Sequence, residues 1–145
     1  MSFFDALQVS ASGLSAQRLR MNLISANLAN VNTTRTATGG PYRRQDPVFA
    51  SIEPGASFQS TLRSSLKSDP STVKVLGIVK DNRPPILKYD PEHPDADARG
   101  YVAMPNINIM EEMVNMISAT RSYEANVTAI QAAKQMAQKA LEIGR

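Results

Sequence analysis

Residues 26–33 read ANLANVNT. Asn27, Asn30 and Asn32 crowd into six positions at the end of a long apolar-striped segment. Asparagine is a mediocre helix former that readily takes helix-ending and turn conformations. The proline-free run 3–31 therefore reads as a helix that stops here. Two readings of the amides stand side by side. In one, Asn30 or Asn32 ends the helix in a left-handed conformation and the others face loops. In the other, Asn27 and Asn30, three apart on one face, hydrogen-bond adjacent chains and fix register, as single buried asparagines do in coiled coils.

Upstream of this stretch, Leu7, Leu14, Met21 and Leu28 recur every seven residues, with Phe4, Ala11, Arg18 and Ser25 alternating between them. That is a heptad stripe with one strong and one weak seam position. A second strip of Val9, Ala16, Leu19, Leu23, Ile24 and Val31 widens the apolar face, so the arm is expected to be buried on more than one side.

The far end of the chain answers with a second arm. Residues 106–143 contain neither proline nor glycine, and Ile109, Met113, Met116, Thr120, Tyr123, Val127, Ile130, Lys134, Ala137 and Leu141 step four and three down the chain. Pro105 closes the preceding stretch, Asn106 or Asn108 supplies an N-cap, Glu111 and Glu112 suit the positive end of the helix dipole, and Gly144 supplies a stop. Heptads sustained this long predict a coiled-coil seam.

All nine prolines lie between residues 41 and 105. TVKVLGIVK (72–80), with its β-branched side chains, reads as the best strand, with ILKYD (86–90) and GYVAM (100–104) as further candidates. GGPY (39–42) reads as a turn leading into YRRQDPVF, and the serine-rich stretch 56–71 as a mobile loop. The predicted fold is thus mainly α with a small β part. Long N- and C-terminal helices pack as an antiparallel coiled-coil hairpin, with a small strand-and-loop domain between them. The divisions fall at 1–31, 32–105 and 106–145, the outer two being assembly helices.

Composition narrows the chemistry. With no cysteine, disulfides, thiol nucleophiles and thiolate metal sites are excluded. The formal charge of +3 is spread among acids and makes no basic stripe for nucleic acid. No basic residue precedes Arg18, so the N-terminus does not read as a cleavable secretory signal. The first arm also lacks the lysines and arginines of a membrane-surface helix.

Asp90, Glu92, His93, Asp95 and Asp97 cluster in YDPEHPDADARG (89–100). DADARG opens like a calcium loop, but Arg99 and Asn106 stand where ligands belong, and a lone histidine makes a poor zinc site. The segment is read as a solvated turn stiffened by Pro91 and Pro94 and capped by its own aspartates. No nucleophile elbow or phosphate-binding glycine motif occurs. No catalytic, cofactor-binding or metal residue is expected, and the chain does not read as an enzyme. The methionines of the second arm are read as seam rather than as an adaptable groove.

SANLANVNT (25–33) resembles the Asn-rich motif near the N-terminus of bacterial flagellar rod and hook proteins, an axial protein family. PYRRQ (41–45), YDPEHPDADARGYVAMPN (89–106) and EEMVNMISATRSYEANV (111–127) extend the resemblance in order over nearly the whole chain. It implies a structural subunit of the proximal rod of the basal body, within the periplasm, exported uncleaved through the flagellar type III apparatus. Implied partners are identical subunits, other proximal and distal rod proteins and a FliE-type adaptor, with no nucleic acid and no small-molecule substrate. The assembly interface is then expected at Phe4, Leu7, Leu14, Met21, Asn27, Leu28 and Asn30 on the first arm. On the second it is expected at Ile109, Met113, Met116, Tyr123, Val127, Ile130 and Leu141. The other reading is a free-standing helical adaptor or export-chaperone-like module.

Overall fold

The computed structural model describes residues 3–52 and 71–144. Most of the serine-rich stretch lies outside the described residues. The elements run α1 (Phe3–Ala29), β1 (Gln45–Ile52), β2 (Thr72–Lys80), β3 (Ile86–Tyr89), β4 (Tyr101–Met104) and α2 (Ile109–Ile143). At 27 and 35 residues the helices span about 40 and 52 Å. They pack antiparallel: Asn27 meets Glu112, Met21 meets Thr120, and Gly13 meets Asn126.

Small side chains are buried along the helical pair. Ala16 on α1 and Ala119 and Ala133 on α2 are buried, Ala119 completely, with Leu23 and Ile24 completing the apolar centre of α1. A Cβ on Gly13 would lie 3.1 Å from the Asn126 amide, so the backbones come close there because no side chain keeps them apart. This moves the seam from the expected register. Met116, Tyr123, Ile130 and Ala137 do turn inward, at least half-buried. The alternate positions, however, are Glu112, Ala119, Asn126 and Ala133, each one residue before Met113, Thr120, Val127 and Lys134. Close approach selects small residues for the interior, whereas periodicity of hydrophobicity selects large ones.

In the middle, β1 and β2 form an antiparallel hairpin, Gln45 opposite Lys80 and Ile52 opposite Thr72, with an irregularity after Val48. β1 lies in the stretch that follows the GGPY turn, for which no strand is expected above, and its Pro47 has no backbone donor. A two-stranded sheet tolerates that on an edge. The hairpin lies along α1: Asn27 reaches Gln45, and Val73 N–H donates to Ser12 Oγ at 3.2 Å. α1 therefore packs against α2 and against both strands, which is its burial on more than one side.

β3 and β4 form a second hairpin, separate from the first, with the Tyr89 and Tyr101 rings edge-to-face at 5.3 Å. Its connection is the aspartate-rich turn. Asp97 Oδ1 accepts from the N–H groups of Arg99 and Tyr101, and His93 Nδ1 accepts from Asp95 N–H. Gly100 closes the turn at φ +81, and a Cβ there would lie 3.0 Å from the Tyr89 ring. Gly100→Ala is therefore expected to destabilise the chain by about 1–3 kcal/mol, read as a lowered unfolding midpoint.

The helix ends are set by side chains. Asn108 caps α2, its Oδ1 accepting from Met110 N–H at 3.0 Å. At the close of α1, Asn30 Nδ2 donates to the Ala26 carbonyl and its Oδ1 accepts from Thr33 Oγ1. Among the described residues only glycines have positive φ, so neither Asn30 nor Asn32 takes the left-handed conformation considered above. Gly144 ends α2 at φ −81, its N–H held by the Ala140 carbonyl, without a left-handed turn.

Candidate assembly surface and its junction

Where α1 ends, β1 begins and α2 begins, a buried polar junction forms. Asn27 is wholly enclosed. Its Oδ1 accepts from the Tyr42 hydroxyl at 3.1 Å and from Gln45 N–H at 2.9 Å. Its Nδ2 donates to the Gln45 carbonyl at 3.0 Å and to Glu112 Oε2 at 3.1 Å. The other Glu112 oxygen accepts from Arg44 Nε and pairs with Nη2, each at 2.8 Å, and Arg44 Nη1 pairs with Asp46. An amide has two donors and two acceptor sites, and all four of Asn27's are used within its own chain.

Burial, opposed by the Arg44 guanidinium and reinforced by Glu112, holds the Asp46 carboxyl above its ordinary range. The fold thus favours the protonated form of Asp46. Its own contribution to stability rises as pH falls toward the unfolded value, so Asp46 does not make the junction acid-labile. Burial, then the Glu112 charge, raises the Tyr42 hydroxyl, which keeps it a donor to Asn27.

The outer surface is the converse of the seam. Ile109, Met110, Met113, Val114 and Ile117 follow one face of the first turns of α2, all exposed, Met110 by 70%. Phe4 at one end of α1 and Leu141 near the end of α2 are each 76% exposed. Of the residues expected at the interface, Leu7, Leu14, Met21, Leu28, Asn30, Met116, Tyr123, Val127 and Ile130 are half-buried. Phe4, Ile109, Met113 and Leu141 are exposed, and Asn27 is enclosed. Sequence reasoning passed over Met110, Val114 and Ile117, which lie off the expected seam, although their one-turn spacing carried the signal. It also passed over Glu112 as a junction residue, having assigned it to the helix dipole. Among the described residues no group of three or more histidines, cysteines or acids is placed to hold a metal, and no helix is long and apolar enough to cross a membrane.

Beyond its packing on α1, α2 thus leaves a continuous apolar face in solvent. The chain is 48% identical to the flagellar basal-body rod protein FlgC of Bacillus subtilis, across the full length of both. It is 47% identical to that of Borreliella burgdorferi, over 99% of this chain and 98% of the relative. The FlgC of Salmonella typhimurium is 37% identical, again over both full lengths. The chain belongs to the FlgC family of flagellar basal-body rod proteins. The family model described as flagella basal body rod protein matches residues 7–35, which hold most of α1 and the Asn-rich end. The model described as flagellar basal body rod FlgEFG protein C-terminal matches residues 98–143, which hold β4 and α2. Both matches fall on the helical pair. As a member of this family the chain is a structural rod subunit of the basal body.

Proposed function

We propose that the chain polymerises through its terminal helices into the proximal part of the rod, inside the periplasm. The observation that carries this is the apolar face left over by the pair: Ala119 and Ala133 of α2 are buried, while Ile109, Met110, Met113, Val114 and Ile117 stand exposed. Large apolar side chains are worth roughly 1.5–3 kcal/mol each when buried, so a face that a single chain leaves wet is covered by a neighbour. A heterologous contact of that kind repeats without closing and builds a helical shaft.

On this reading the interface comprises Phe4, Leu7, Leu14, Met21, Leu28 and Asn30 on α1. On α2 it comprises Ile109, Met113, Met116, Tyr123, Val127, Ile130 and Leu141, together with the exposed Met110, Val114 and Ile117. The division at 1–31, 32–105 and 106–145 separates the two assembly helices from the strand region. Identical subunits, other proximal and distal rod subunits and a FliE-type adaptor are the partners, delivered by the flagellar type III export apparatus. The work is mechanical rather than catalytic.

Order in the free chain should be graded along the helices. At one end the junction ties Asn27 to Glu112; at the other, Phe4, Leu141 and Ile143 stand in solvent. Amide exchange of the purified chain is expected to be slow at 19–28 and 112–123 and fast at 3–8 and 134–143. Exchange at the second set should slow in isolated basal bodies. Uniform protection along both helices of the free chain, unchanged on assembly, would rule out assembly through these ends.

A further inference from the structure

We propose that the enclosed junction is a directional lock, formed within one chain, that fixes the angle between the β1–β2 hairpin and the helical pair. Three segments distant in sequence meet there, and the hydrogen-bond directions admit one arrangement. Gln45 N–H and the Tyr42 hydroxyl meet the same side of the Asn27 amide, and a backbone N–H can only donate. That side is therefore the oxygen. The opposite side faces the Gln45 carbonyl and the Glu112 carboxylate, which only accept. Turning the amide over would set donor against donor and oxygen against carboxylate.

Glu112 is 1% exposed and transmits the same order to Arg44 through its second oxygen. Arg44 lies immediately before β1, so the carboxylate at the head of α2 holds the strand at the tail of α1. Near the other end of the strands Val73 N–H donates to Ser12 Oγ. The converging bonds of the junction set an angle as well as a distance. With its amide saturated inside the chain, Asn27 has nothing left to offer a neighbouring subunit, and its part in assembly is to set the shape that the neighbours meet. That last consequence rests on the rod reading; the lock itself does not.

Two substitutions reverse the directions. Asn27→Asp puts oxygen against the Glu112 carboxylate, and Glu112→Gln confronts the Asn27 or Arg44 donors with an amide N–H. Together, Asn27→Asp with Glu112→Gln restores a donor–acceptor pair of opposite sense and the same formal charge; the contact with the Gln45 carbonyl stays unfavourable, and Arg44 keeps an oxygen acceptor in place of a carboxylate.

The chain has no cysteine, so spin labels can be placed on single introduced cysteines at the exposed positions Lys74 and Thr128. The distance distribution between them, in the purified full chain, is expected to be narrow in the parent. It should be at least twofold broader in each single variant and to narrow again in the double. Single variants as narrow as the parent, a double as broad as the singles, or a broad parent would each overturn the lock. The same chains expressed in a motile bacterium lacking its own FlgC are expected to swim in the order parent, double, singles. Distances that behave as stated in a parent chain that does not restore swimming would count against the rod reading while leaving the lock in place.

Discussion

Glu112→Ala is expected to destabilise the chain by about 3–5 kcal/mol, the cost typical of removing one partner from a buried ion pair. The substitution leaves the Arg44 guanidinium, whose side chain is only 15% exposed, without the Glu112 charge, and one of the two Asn27 amide N–H donors without an acceptor. Alanine is the better helix former, so the loss comes from the orphaned partners and not from the helix. Replacing both Arg44 and Glu112 by methionine should cost much less, because the one charge that then loses its partner, Asp46, has a side chain 47% exposed to water. Urea unfolding of the three proteins measures this. If the double replacement proved as damaging as Glu112→Ala, the penalty would lie in shape or in the orphaned Asn27 donor rather than in charge.

The second large effect falls on assembly and spares the free chain. Met110→Glu combined with Val114→Glu changes two side chains that are 70% and 65% exposed. Glutamate is a good helix former near a helix N-terminus, so the unfolding midpoint should move by no more than about 0.5 kcal/mol in stability. In a packed shaft the same carboxylates would be buried without partners, at a cost of several kcal/mol at every repeat of the contact. Rod completion and swimming are expected to be lost entirely. Swimming at the parental rate, with the protein folded as before, would mean that this face stays in solvent in the rod.

Much of the architecture could be read directly. The two proline-free arms appear as α1 and α2, the β-branched run 72–80 is β2, and ILKY and YVAM pair as β3 and β4. Asn108, one of the two candidates for the N-cap, caps the second helix. These features are local: propensity, capping and periodicity act within a turn or two of chain. β1 was hidden by Pro47, since a strand that gives up a donor is legible only once its partner β2 is known. The Asn-rich stretch was recognisable as important, yet its partners were not: Glu112 lies 85 positions away from Asn27.

By itself, then, the sequence determined two long helices, a proline-broken middle, the absence of thiol chemistry and the family resemblance, because each depends on residue type and spacing along the chain. Only the tertiary structure decided which face of each helix is inward. Close approach at Gly13 and Ala119 is a matter of distance between backbones, and it shifts the seam by one residue, leaving Ile109, Met113 and Leu141 in solvent where periodicity would have them inside. It also decided that Glu112 is buried, since a carboxylate leaves water only when a guanidinium and an amide from elsewhere in the chain arrive to replace it.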